Sequence, residues 1–353
     1  MSVASITASM VSTRPRVRGM PVASKHFTWG FVALAIGLVA GAYLDTFAHH
    51  NIPAVNKEGF VTPWHVLLYS MLFLLLGYLS LTLFRNVRRG HVWHEALPSG
   101  YGLSWLAMVA FGVGGGLDFL WHRLFGIELS VAALMSPTHL LLMLSGGLIV
   151  SGPLRSAADS RARYAPWPAV ISAALILSML TFFAQFDNPY VDVWAQGASP
   201  SPRLPAWAEE ELGMLGILLQ ATMLSGVALL LMRRFQLRFG SLTLLVGLNG
   251  LFVASIEDHP LMFAAALLGG LAADTVYAAV RPVVADRVAF RAFAFALPAC
   301  VAAAYFLVLA IEFGVWWPIH FWAGAVPLAG GTGWLLSFIA LPARTEGLNL
   351  TER

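Results

Sequence analysis

The stretch PWHVLLYSMLFLLLGYLSLTLF (63–84) contains no Lys, Arg, Asp or Glu and ends against the basic run Arg85-Asn86-Val87-Arg88-Arg89. A hydrocarbon core about 30 Å thick takes about 20 helical residues to cross. The apolar residues of this stretch do not alternate with period two. In lipid every backbone group must be paired within the segment, so the run reads as a transmembrane helix and not as a barrel strand. Working outward, comparable runs lie at 28–48, 102–121, 136–154, 167–186, 210–232, 240–257, 260–280, 290–312 and 318–341. The expected fold is an all-α, polytopic bundle of about ten spans (28–341), between a flexible cytoplasmic tail (1–27) and a cytoplasmic C-terminal tail (342–353). Composition agrees: 58% of the residues are apolar and only 11% charged, too little charge to keep a soluble surface in water.

Lys and Arg set the expected orientation. If both termini are cytoplasmic, 18 of the 21 basic residues fall on inner segments, and only Lys57, Arg123 and Arg203 fall outside. The formal charge of +3 then belongs to inner loops beside anionic lipid and not to a nucleic-acid surface. The first apolar run ends in Asp45-Thr-Phe-Ala-His49-His50, which is no small-residue cleavage site, so it reads as a retained helix. A single cysteine, Cys300, excludes an intramolecular disulfide and a CxxC metal site.

The spans pair into five outward-opening hairpins, and the first two carry the same residues at their mouths. One outgoing helix ends with Asp45-x3-His49, and its return begins Thr62-Pro63-x-His65. The next ends with Asp118-x3-His122, and its return begins Ser136-Pro137-x-His139. The Asp-to-His distance is 20 residues in one and 21 in the other, which reads as an internal repeat. Asp and His four apart share one helical face, and the prolines occupy a tolerated first-turn position. Each mouth can thus offer one carboxylate and two imidazoles, a ligand set for a transition metal: copper first, with iron or zinc as alternatives.

The remaining polar residues are weaker candidates. Glu257, Asp258, His259, Glu312 and His320 lie at the other outer mouths and could serve as ligands or support ligands. Glu128 and the run Glu209–Glu211 read as solvated. Asp274, an acid on the inner half of the eighth span, reads either as an interhelical hydrogen-bonding group or as part of a proton pathway. His91, His94 and Glu95 sit in a short basic inner loop with no partner motif. Glycine stretches at 112–116, 269–270 and 330–331 read as close-packing sites. Trp64, Trp121, Trp316, Trp317 and Trp322 fit an outer aromatic belt.

The order Asp118-x3-His122 followed by His139 resembles the copper-ligand set of the C subunit of copper membrane monooxygenases, the methane and ammonia oxidisers. The likeness covers these ligands alone. The gap before the last histidine, the duplicated set and the ten-span length depart from that family. The resemblance implies that Asp118, His122 and His139 ligate copper. It also implies that a small apolar substrate arriving through the bilayer is oxidised with dioxygen, using an electron donor or a partner subunit.

Three readings therefore stand at the level of sequence. The first is a metal-dependent membrane oxidoreductase, a monooxygenase if the resemblance holds. The second is a transporter of metal ions, protons or a small solute. The third is a non-catalytic accessory or metal-insertion subunit.

Overall fold

A computed structural model describes residues 19–52, 62–126, 131–160, 162–200 and 204–341. Most of both tails, Lys57, Glu128, Arg161 and Arg203 lie outside the described residues. Twelve α-helices run in chain order through the described residues: α1 (Lys25–Asn51), α2 (Pro63–Arg88), α3 (Gly102–Phe125), α4 (Val131–Met135), α5 (Pro137–Val150), α6 (Gly152–Ala158), α7 (Trp167–Phe183), α8 (Ala206–Arg234), α9 (Ser241–Ala254), α10 (Pro260–Val280), α11 (Arg287–Glu312) and α12 (Ile319–Ala340). Among the described residues the only β-type pairings are two isolated bridges, Tyr164 with Gln236 and Gln196 with Val315.

Among the described residues seven helices are long and apolar enough to cross a membrane, and α5 with α6 makes an eighth if that pair, bent by 45°, is one span. The bend has a local cause. Pro153 opens α6 without an N–H to continue the helix, and Gly152 lies so close to Tyr101, just before α3, and to Ser104 in α3 that a Cβ there would meet the Ser104 hydroxyl at 2.8 Å. Arg155, one turn on, then donates to the Gly100 carbonyl and to Ser104 Oγ. The two other expected spans are helical but short, α7 with 17 residues and α9 with 14. Fourteen residues rise only about 21 Å, less than the hydrocarbon thickness. Both helices are mostly buried, and they pack against each other inside the bundle.

Helix starts follow the capping residues. Ser24, Thr62 and Ser136 each accept a backbone N–H of their own first turn, and Asp286 accepts two. α9 begins instead after Gly240, a left-handed residue with φ 90° and no side chain to cap with. Its cap comes from another helix. Asp274 of α10 is fully buried and accepts Leu242 N–H (3.2 Å), Thr243 N–H (2.8 Å) and the Thr243 hydroxyl (2.6 Å). Its three bonds give this acid a structural task at a helix N-terminus, where negative charge is favoured.

The two ends of the bundle differ in chemistry. At one end the basic connections interlock: Arg234 donates to the Ala158 carbonyl, Arg238 to Ala165, and Arg163 to the Gln236 side chain. At the other, Gly197 N–H bonds the Gly314 carbonyl, and the Trp316 indole N–H donates to the Trp194 carbonyl at 2.6 Å. Trp317 beside it is buried. The Trp316 indole thus fastens one connection to another, and Trp317, being buried, is not an exposed belt residue, a correction to the sequence-based expectation for that residue. The run Glu209–Glu211 is also not uniformly solvated, because Glu209 in the first turn of α8 is buried.

Between the two ends an uncharged polar chain crosses four helices. Asn188 donates to Gln220 (3.1 Å), Gln220 to Asn249 (3.0 Å) and Asn249 to Thr181 (2.7 Å), which lies 3.2 Å from the Tyr43 hydroxyl. Next to its start, Asp187 follows α7 in a short 3-10 turn, buried and with neither carboxylate oxygen hydrogen-bonded. Burial, reinforced by Asp192 and opposed by the Trp194 indole, pushes its acid up to about 7. A raised acid binds its proton more tightly in the folded state. Folding stability therefore falls as pH rises from about 4 to about 7 and is flat above. Asp187→Asn is expected to remove that slope and to raise Tm at pH 8 more than at pH 5. Thermal unfolding in detergent at the two pH values measures this, and equal shifts would contradict it.

Candidate metal centre

Four helix termini carry the six expected ligands. Asp45 and His49 lie in the last two turns of α1, and His65 in the first turn of α2. Asp118 and His122 lie in the last two turns of α3, and His139 in the first turn of α5. α1 packs on α2 and α3 on α5. The fold thus gathers these residues into two groups of three, in each of which one ligand atom per residue lies within 4.8 Å of the others.

The two groups are close copies. In the first, Asp45 Oδ2 lies 3.9 Å from His49 Nε2 and 3.6 Å from His65 Nε2, with the imidazole centroids 6.1 Å apart at 64°. In the second, Asp118 lies 3.5 Å from His122 Nε2 and 3.4 Å from His139 Nδ1, with centroids 5.8 Å apart at 63°. These separations are longer than hydrogen bonds. They suit a shared ion: ligands about 2.1 Å from one tetrahedral metal lie about 3.4 Å from each other.

The helix caps also orient the imidazoles. Thr62 Oγ1 accepts His65 N–H and sits 3.2 Å from His65 Nδ1; Ser136 Oγ accepts His139 N–H and sits 2.7 Å from His139 Nδ1. One hydroxyl therefore caps the helix and engages Nδ1; in the first group Asp45 faces the other ring nitrogen, Nε2, whereas in the second Asp118 lies nearest the same Nδ1 that Ser136 engages. His122 Nδ1 lies 3.1 Å from the Gly126 carbonyl, so that nitrogen carries the proton and Nε2 keeps its lone pair. Outer hydrogen bonds of this kind fix the tautomer of a metal-binding histidine.

The copies differ at the residue after proline. Thr138 donates to Asp118 Oδ1 at 2.7 Å and also contacts Ser136 Oγ at 3.0 Å. The equivalent position in the first copy is Trp64, which has no hydroxyl, and Asp45 Oδ1 is buried without a hydrogen bond. An unsatisfied carboxylate oxygen at this depth is costly and suits a cation. Asp118 is the better held of the two carboxylates and is 3% exposed. Thr138→Val, nearly the same shape, removes its support and is expected to weaken metal binding at the second group about tenfold with the fold intact. Isothermal titration with Cu2+ beside circular dichroism checks this; unchanged affinity would show that Thr138 is only packing.

One turn deeper the likeness continues, a signal that the sequence pattern of ligands alone misses. Gly41 precedes Asp45 by four residues, as Gly114 precedes Asp118. A Cβ at Gly41 would meet Leu68 Cα at 3.1 Å, and one at Gly114 would meet Leu142 at 3.0 Å. Leu68 and Leu142 each follow the return-helix histidine by three residues. The shared pattern is therefore Gly-x3-Asp-x3-His, then Ser/Thr-Pro-x-His-x2-Leu. The glycines let the helices of each pair approach just beneath the ligands.

The weaker candidates join neither group. Glu257 pairs with His50 at 2.5 Å, and Asn51 donates to the Ile256 carbonyl, so this corner ties the end of α1 to the α9–α10 turn. Asp258 is exposed in a left-handed conformation (φ 55°), and His259 precedes Pro260 as the N-cap residue of α10. Glu312 and His320 are exposed at the facing ends of α11 and α12. His91 and Glu95 bind the backbone of Gly19. Asp274 is the helix cap described above.

A narrow pocket lies between α8, α11 and α12, lined by residues including Tyr190, Ile217, Gln220, Val301 and Tyr305. None of its lining residues comes from α1–α5, so it does not adjoin the Asp/His groups.

No protein-family model, no curated protein and no solved structure matches this chain.

Proposed function

We propose that this chain is a multi-pass membrane metalloprotein whose two Asp/His/His groups hold transition-metal ions, and that it works as a metal-dependent oxidoreductase. The observation that carries metal binding is the doubled geometry: two sets of three ligand atoms, each within 4.8 Å, with matching imidazole angles and matching hydroxyl supports. A single Asp–His contact has many structural explanations. Two separately encoded copies, each bringing a carboxylate and two imidazoles together, favour a ligand role.

Copper is favoured by the imidazole-rich set and by the ligand order shared with the monooxygenase subunit; iron or zinc would accept the same ligands. A bound redox metal would supply one-electron and oxygen chemistry. The residues of this chain would hold it at the ends of apolar helices, where a small apolar substrate and dioxygen arrive through the lipid. With α7 and α9 counted as short enclosed spans the chain crosses ten times, and the Lys/Arg bias then supports both termini on the basic inner side and the metal groups at the opposite, outer face. An electron donor or a partner subunit would complete the reaction.

The deciding experiment is elemental analysis of protein purified in mild detergent, with electron paramagnetic resonance to name the metal. Stoichiometric copper or iron, with oxygen consumption on addition of a reductant, is the expected result. A folded protein that neither retains nor takes up a transition metal would overturn the proposal. Metal accumulation in proteoliposomes without oxygen consumption would point instead to transport, and activity that depends on a stable partner would point to an accessory subunit.

A further inference from the structure

The two groups stand on different helix pairs, yet the packing of those pairs brings them together. α2 packs on α3, and α1 touches α5. Tyr69 marks the junction. It follows His65 by one turn, and its ring stacks on that imidazole at 6.4 Å and 25°. The same ring meets Phe111 of α3 edge-on at 6.4 Å. Its hydroxyl lies against α3 at Gly115, where any Cβ would collide with it, one turn below Asp118. One side chain thus reaches from the first group to the helix that carries the second.

The ligand side chains of both groups are half-buried or buried at helix ends, where charges are poorly screened.

Resting on the metal-binding reading above, we infer that the two groups form one paired centre, in which an ion at either group weakens binding at the other, with Tyr69 as the side chain between them. Two like-charged ions facing each other across an aromatic ring repel, and linkage makes the effect reciprocal. Removing the ring admits water and should weaken the repulsion.

The test uses the full chain in mild detergent, titrated calorimetrically with Cu2+. It compares wild type with two double variants, His49→Ala/His65→Ala and His122→Ala/His139→Ala, which leave both carboxylates in place. Each variant is expected to bind one ion and wild type two. The second wild-type step should be at least tenfold weaker than the single step of either variant. The doubly loaded wild type should also show spin–spin broadening of the copper resonance that neither variant shows. Tyr69→Ala should reduce the gap between the two steps at least threefold, while Tyr69→Phe leaves it unchanged.

A wild-type isotherm equal to the sum of the two variants, with unbroadened resonances, would overturn the pairing while leaving metal binding intact. An unchanged gap in Tyr69→Ala would remove Tyr69 from it. Absence of binding in wild type itself would overturn the metal reading and this inference with it.

Discussion

Asp118→Asn is expected to lower the affinity of the second Asp/His/His group for Cu2+ by at least about 100-fold, because loss of a supporting hydrogen bond alone costs tenfold to 100-fold and here a ligand is lost. The choice of asparagine matters. Asp118 is buried, and its Oδ1 accepts the Thr138 hydroxyl. Alanine would strand that hydroxyl and open a cavity, so a loss of metal could then reflect a damaged helix end. Asparagine keeps the size and an oxygen for Thr138 while removing the anionic donor. Metal content per chain after gel filtration should fall by about one equivalent, with thermal unfolding of the metal-free protein little changed. Full retention of two tightly held equivalents would show that this carboxylate is not a ligand.

The second large effect is expected at Asp274, on stability. Asp274→Ala removes the acceptor for two α9 backbone N–H groups and the Thr243 hydroxyl. Gly240 cannot replace it, and the site is sealed from water, so the orphaned donors bear their desolvation cost. A loss of about 3 kcal/mol is expected from the cost of unsatisfied buried donors, seen as a Tm several degrees lower in detergent. Asp274→Asn keeps one acceptor oxygen and should recover part of that loss. If Asp274 instead carried protons through the bundle, the Asn variant would fold normally and lose function. Oxygen consumption or proteoliposome flux in the Asn variant separates the two roles.

The six ligand candidates and their division into two sets were legible in the sequence because helical spacing is local. Four residues make about one turn, so Asp45 and His49, or Asp118 and His122, must share a face. The Ser/Thr-Pro signature was legible as a helix start for the same reason. Asp274 was legible as an interhelical hydrogen-bonding group, but its capping of another helix was not. Its partners, Leu242 and Thr243, are about 30 residues away and become neighbours only when α10 lies along α9. The double duty of Thr62 and Ser136, each touching a backbone N–H and an imidazole, depends on side-chain rotamers and not on residue spacing.

Hydropathy alone found where the chain is helical and apolar, but it did not reveal that α7 and α9 are short. A helix enclosed by others need not match the thickness of the lipid, so their 17 and 14 residues are set by the packing around them. Glu257 shows the limit from another side. In sequence it resembles a fourth mouth of ligands, yet the fold gives it to His50 at the end of α1.

What the sequence determined by itself is therefore the membrane class, the helix starts and the two Asp-x3-His…Pro-x-His sets, since each rests on contacts within a few residues or on transfer of apolar side chains out of water. Only the tertiary structure decided that each set closes into a triad, that Thr138 secures one carboxylate while Asp45 Oδ1 is left without a hydrogen bond, and that Tyr69 lies between the two. Those outcomes depend on how closely α1 meets α2 and α3 meets α5 at Gly41 and Gly114, and on how α2 meets α3 at Gly115. Close approach of helices is a property of surfaces in contact, and no single segment carries it.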